Sequence, residues 1–174
     1  MADQDRRNFL KLATCALGGG VGLVTVGPVL RFVADPDGTT TVTSPKDPID
    51  VGDAARFKIG GPPMKVDVVA PVIQNAWATS RDVLLGAAWV RATAPGQLVA
   101  LSAVCPHLGC AIGWDGGGST FVCPCHDSKF GSDGSVMGGP SKRAMDELPV
   151  QIVNGRLMLT WKRFRADTKD REEV

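Results

Sequence analysis

The chain has 174 residues, with 19 Lys+Arg against 18 Asp+Glu, 44% hydrophobic residues, 21 Gly, 12 Pro, 5 Cys, 2 His and no Tyr. That length fits one modest domain with an appended segment. A net charge of +1 excludes the broad basic field of a nucleic-acid binder, and 21% charged residues beside this much apolar content exclude a disordered chain.

Up to Ala34, Arg6, Arg7, Lys11 and Arg31 stand against Asp3 and Asp5, a sum of +2, whereas the remainder carries 15 basic and 16 acidic residues. The two parts read as different objects. Leu12 to Leu30 gives 19 consecutive residues without a charge, which as a helix covers roughly 28 Å, close to the hydrocarbon core of a bilayer. Residues 12–34 are therefore expected to form a transmembrane anchor, diluted by Gly18, Gly19, Gly20, Gly22 and Gly27, with Pro28 near its far end and Cys15 as a small membrane-facing thiol. Arg6, Arg7 and Lys11 precede it, so the positive-inside rule leaves residues 1–11 in the cytoplasm and exports the chain beyond the anchor. The run Asp5-Arg6-Arg7-Asn8-Phe9-Leu10-Lys11 resembles the twin-arginine export signal, departing from its pattern only at Asp5. That resemblance implies a domain folded around its cofactor before export across a bacterial inner membrane. No small-x-small cleavage site comes after the apolar run, because Val33-Ala34-Asp35 lacks the first small residue, and an uncleaved anchor is favoured.

Residues 35–50 read as a hinge linker, since Pro36, Pro45 and Pro48 interrupt a stretch without apolar periodicity. Beyond it, residues 51–174 read as an all-β domain. The apolar runs Val66–Val69, Val83–Val90, Leu98–Val104, Thr120–Val122, Val150–Val153 and Leu157–Trp161 are strand-length, rich in Val and bounded by Gly, Pro, Asn and Asp. Asn154-Gly155 marks a tight hairpin, because both central residues of a primed turn take positive φ. A second hairpin is expected around Asp115-Gly116-Gly117-Gly118. Trp77, Trp89, Trp114 and Trp161 read as core or sheet-face residues, and the charged tail from Lys162 to Val174 as solvated and frayed.

Four of the five Cys and both His fall between 105 and 126, in two knots 12 residues apart: Cys105-Pro106-His107-Leu108-Gly109-Cys110 and Cys123-Pro124-Cys125-His126. The second hairpin would bring these knots to one edge. A mixed set of thiolates and imidazoles admits structural zinc, catalytic zinc or iron-sulfur chemistry. Six candidates exceed four coordination positions, so either two are spare or two bond to each other, and spare thiols tend to pair in an exported compartment.

The two knots match the boxes Cys-x-His-x-x-Cys and Cys-x-Cys-His, and in this the chain resembles the Rieske iron-sulfur proteins. The resemblance implies a Rieske-type antiparallel β domain with an inserted cluster-binding subdomain at about 105–145. It also implies a [2Fe-2S] cluster held by Cys105 and Cys123 on one iron and by His107 and His126 on the other, with a disulfide between Cys110 and Cys125. A structural zinc site would account for four of the six residues and for neither the extra Cys pair nor the twin-arginine run. Neutral imidazoles in place of two thiolates raise the potential of such a cluster. His126, with His107 as the other exposed candidate, is expected to contact a quinol. Ser128 falls where the family's serine donates to a bridging sulfide, Gly138-Gly139-Pro140 resembles the loop covering the cluster, and Leu108 is expected at the tip. Phe130 occupies the position of a tyrosine that donates to a ligand thiolate. Losing that donor implies a lower potential, suited to menaquinol.

The resemblance thus implies the iron-sulfur subunit of a cytochrome bc-type quinol:cytochrome c oxidoreductase, partnered by a cytochrome b subunit and a c-type cytochrome. The competing reading is the Rieske small subunit of another exported redox complex such as arsenite oxidase; disulfide and anchor both lean against it.

Overall fold

The computed structural model describes residues 2–34, 47–75 and 78–174. They form two compact units, one built on an N-terminal helix and the other on strands. The helix α1 covers Ala2–Ala34. At 33 residues it is about 50 Å long, and it starts ten residues before the anchor expected from residue 12, so the basic residues Arg6, Arg7 and Lys11 belong to the same helix. Apolar side chains along it are exposed, Leu12 at 72% and Leu23 at 78%. Its threonines are satisfied internally, Thr14 Oγ1 donating to the Leu10 carbonyl and Thr25 Oγ1 to that of Val21, each at 2.8 Å. A helix that is apolar on all sides and leaves few polar groups unpaired suits lipid. Among the described residues it alone is long and apolar enough to cross a membrane.

The second unit is built from antiparallel strands: β1 (Ile49–Asp53), β2 (Met64–Gln74), β3 (Thr79–Ala94), β4 (Gln97–Ser102), β5 (Gly113–Asp115), β6 (Thr120–Cys123), β7 (Ser128–Phe130), β8 (Val136–Gly138), β9 (Glu147–Leu148), β10 (Val150–Val153) and β11 (Arg156–Leu159). They make three sheets among the described residues, in the orders β1-β11-β10, β2-β3-β4-β9 and β5-β6-β7-β8. Both expected hairpins are present. β10 and β11 pair Val153 with Arg156 across Asn154 (φ +52°) and Gly155 (φ +77°), a turn with positive φ at both central residues. β5 and β6 pair Trp114 with Phe121 across the glycine-rich turn.

Alternation explains the first core. Val66, Val68 and Ala70 of β2 are buried while the residues between them are exposed, and they pack with Ala88, Val90, Ala100, Leu148, Leu157, Leu159 and Trp161. A second core gathers Leu101, Cys105, Ile112, Phe121, Cys123, Phe130 and Met145, flanked by half-buried Trp89 and Trp114.

Two sequence expectations change. β1 begins at Ile49, which is buried and pairs with Leu159, so strand starts inside the stretch 35–50 read as a linker; residues 35–46, like Trp77, lie outside the described residues. Burying Ile49 in the core outweighs the Pro-rich composition preceding it. The charged tail is not frayed. It folds back on itself, with Phe164 bridged to Glu173, the Arg165 N–H donating to Glu172 and the Val174 N–H to Arg163. Its basic and acidic residues find partners in one another and in the domain.

Candidate metal centre

The first box is a loop closed at its own base. The Cys105 N–H donates to the Cys110 carbonyl (2.7 Å) and the Gly109 N–H to that of Cys105 (2.9 Å). Val104 bridges Ala111 below it, the Ile112 N–H donates to Ala103, and Trp89 Nε1 donates to the Ile112 carbonyl at 3.0 Å. The second box is a hairpin turn: Cys123 ends β6 and pairs with Ser128, the first residue of β7, leaving Pro124 to Asp127 as the turn, with Asp127 at φ +56°.

The structure brings all six box residues together. Cys105 and Cys123 are free, buried thiols in the apolar wall of the second core. His107 is half-buried and His126 exposed, and their rings meet edge-on with centroids 4.9 Å apart. Cys110 and Cys125 form a disulfide joining the two loops. The Cys123 sulfur lies within 4.8 Å of both disulfide sulfurs, but two sulfurs bonded to each other are spent as thiolate ligands. The donors left for a metal are two thiols at the back and two imidazoles at the rim.

Burial pushes the Cys105 thiol above its ordinary range; the backbone N–H of His107 pulls it down, the adjacent Cys123 thiol pushes it up again, and the Leu108 N–H adds to the downward pull. A thiol so buried, with a second thiol beside it, ionises reluctantly without a cation nearby. Ser128 Oγ supplies a second indication of fit. It is fully buried and has no hydrogen-bond partner among the described residues, and such an orphan needs an acceptor from a bound group. Two soft thiolates, two imidazoles and an unpaired hydroxyl donor fit a histidine-ligated [2Fe-2S] cluster.

The Rieske [2Fe-2S] domain model matches residues 52–152. This chain belongs to the Rieske [2Fe-2S] family. It is 32% identical over 158 residues to the menaquinol:cytochrome c reductase iron-sulfur subunit of Geobacillus thermodenitrificans, covering 88% of this chain and 89% of that one. It is 26% identical over 159 residues to the cytochrome b6-f complex iron-sulfur subunit of Chlorobaculum tepidum, covering 91% and 76%. The crystal structure of the cyanobacterial plasma membrane Rieske protein PetC3 from Synechocystis PCC 6803 is similar with 25% identity and a TM-score of 0.47, over 65% of this chain and 99% of that one.

Around the Rieske boxes, Leu108 is 57% exposed beside His107. Phe130 is fully buried in the cluster of apolar residues that includes Cys105 and Cys123. Gly139 presses on the second box: a Cβ there would lie 2.5 Å from the Ser128 Cα and 2.6 Å from the Asp127 carbonyl oxygen, and its φ is +86°. Pro140 comes next, at the surface. Sequence reasoning missed a buried ion pair, Arg143 Nη2 to Asp146 Oδ2 at 2.8 Å, with Arg143 Nε donating to Asp146 Oδ1 at 2.9 Å. The hydrogen bond to Asp146 holds the Arg143 guanidinium above its ordinary range. Nothing in the spacing of these two residues marks them as buried; only the docking of the tail over them does so.

Proposed function

We propose that the chain is the iron-sulfur subunit of a membrane quinol:cytochrome c oxidoreductase of the cytochrome bc type, with Cys105, His107, Cys123 and His126 as cluster ligands. The observation that carries this reading is the polarity of the site, with buried thiols behind and paired imidazoles at an accessible rim. Bound there, a [2Fe-2S] cluster with two neutral imidazole ligands supplies a one-electron acceptor of raised potential.

The residues of the chain do the rest. His126, the more exposed of the two imidazoles, presents a ring nitrogen to the quinol hydroxyl and accepts its hydrogen bond, then holds the proton; His107 stands beside it for the second contact. Leu108 offers an apolar tip to the cytochrome b surface where the quinol lies. The loop 138–140 keeps water from the second box through Gly139. Helix α1 anchors the subunit, with Arg6, Arg7 and Lys11 on the cytoplasmic side and the domain exported. The stretch ahead of β1, residues 35–48, is the hinge in this reading, along which the domain would move towards a c-type cytochrome, the electron's recipient.

A redox titration of the holoprotein at several pH values, with EPR of the reduced form, tests this reading. An anisotropic signal and a midpoint potential that falls as pH rises are expected, because reduction takes up a proton on the imidazole rim. A potential that stays the same at every pH tested would remove quinol oxidation.

Two buried positions should move that potential in opposite directions. Ser128→Ala removes a hydroxyl that bonds nothing among the described residues, so the apoprotein loses no hydrogen bond to them while the holoprotein loses a donor that favours the more negative reduced state. Its potential should fall. Phe130→Tyr adds a donor in the wall containing both thiols and should raise the potential, each shift being on the order of tens of mV. The low-potential setting left by Phe130 is our reason for favouring menaquinol, as is the menaquinol reductase to which the Geobacillus relative belongs. No rise in the Phe130→Tyr variant would undo the menaquinol assignment.

A further inference from the structure

The charged C-terminal tail is tied to the metal centre. Where it turns, the Asp167 N–H donates to the Pro106 carbonyl inside the first box, at 2.9 Å. The same turn is fastened to the segment just beyond the loop 138–140. Arg143 Nη1 donates to the Thr168 carbonyl (2.9 Å) and to Thr168 Oγ1 (3.0 Å), Lys142 Nζ pairs with Asp167 at 3.0 Å, and Arg171 Nε reaches Asp146 at 3.2 Å. A cleft of about 570 Å³ is lined by Cys105, Pro106 and Leu108 of the first box together with Phe164 and Arg165 of the arm. The arm is thus one wall of a space that reaches the first ligand loop.

The energetics single out Arg143. Ordering a charged arm costs chain entropy, and exposed pairs such as Lys162–Glu173 and Arg165–Glu172 repay little of it. Arg143 is different, with its side chain only 7% exposed and Asp146's 5%. Its guanidinium is forked onto Asp146 with one edge and donates to Thr168 with the other, and charge-assisted bonds from a rigid, buried fork are the strong ones.

We propose that residues 162–174 form a clasp that holds the Cys105–Cys110 loop in place, and that Arg143 is the positioning residue that fastens it. The disulfide ties the first loop to the second box; the clasp ties the same loop to the segment 142–146. The inference stands apart from which donor and acceptor the domain serves.

Hydrogen exchange read by mass spectrometry on the full-length holoprotein tests it, with EPR of the reduced form alongside. Two variants are compared with the native chain: one lacking residues 163–174, and one carrying Thr168→Val with Arg171→Ala, which loosens the arm without removing it. With the disulfide intact, amides of residues 105–110 should exchange roughly tenfold faster or more in the truncated chain, less so in the double variant, while β10 and β11 keep their protection. The EPR line shape should change with the loop. Unchanged exchange at 105–110 or an unchanged spectrum overturns the clasp. Protection lost equally from β10 and β11 also overturns it, since the arm would then be ordinary core packing.

Discussion

Replacing Cys110 and Cys125 together by Ser is expected to destabilise the folded domain by about 3 kcal/mol, the loop-closure value for a crosslink of this span. The bond closes a sequence separation of 15 residues, and its two ends sit on the two loops that carry every proposed ligand. Without it the first loop retains its own base, through the Cys105 to Cys110 backbone bond and the Val104–Ala111 bridge, and the second retains the β6–β7 pairing. What is lost is the link between them. The loss should therefore appear twice: as a lower midpoint in denaturant, with a steeper slope because the denatured chain exposes more surface without the crosslink, and as faster bleaching of the holoprotein's visible absorbance. A double Ser variant within about 0.5 kcal/mol of the native protein, a shift ordinary for surface substitutions, would show that the loops are positioned without the crosslink.

Gly139→Ala should be as damaging, for a different reason. The new Cβ would sit 2.5 Å from the Ser128 Cα, 2.6 Å from the Asp127 oxygen and 2.8 Å from the Ser128 nitrogen, all of them backbone atoms that cannot swing aside. It would also occupy a φ of +86°. Left-handed strain and overpacking each cost roughly 1–3 kcal/mol, so a loss of about 2–6 kcal/mol is expected. The turn 124–127 must move away from the loop 138–140 to relieve it, and the holoprotein's EPR spectrum should change. Gly138→Ala is the control. Its Cβ meets nothing within 4 Å and its φ is not positive, so the change should stay within about 0.5 kcal/mol. Equal stability of the two variants would mean that the loop does not bear on the second box.

The local parts of this molecule are legible in the sequence because local chemistry specifies them. Asn154-Gly155 announces its turn by the backbone angles it needs, and the Val-rich runs around it form β10 and β11 as expected. The boxes are legible because few other chemistries use two His and four Cys at that spacing. Strands β7 and β8 are not. Each has three residues, too few to show a period, and they exist because β6 turns back on itself at the second box. β1 is hidden for a related reason, since Ile49 becomes a strand residue only by pairing with Leu159 across 110 positions of chain.

By itself the sequence determined the apolar N-terminal helix, the all-β character of the domain after it and the identity of the six box residues, all of which depend on neighbours in the chain. Tertiary structure alone decided that Ser128 Oγ would be sealed in without a partner, that Gly139 would lie against the Asp127–Ser128 backbone, and that a tail of thirteen mostly polar residues would dock. Those outcomes turn on distances between segments that are not neighbours in the chain. A charged residue in a string of letters looks the same in water as in a buried fork, and Arg143 became the latter only when Asp146 and Thr168 closed around it.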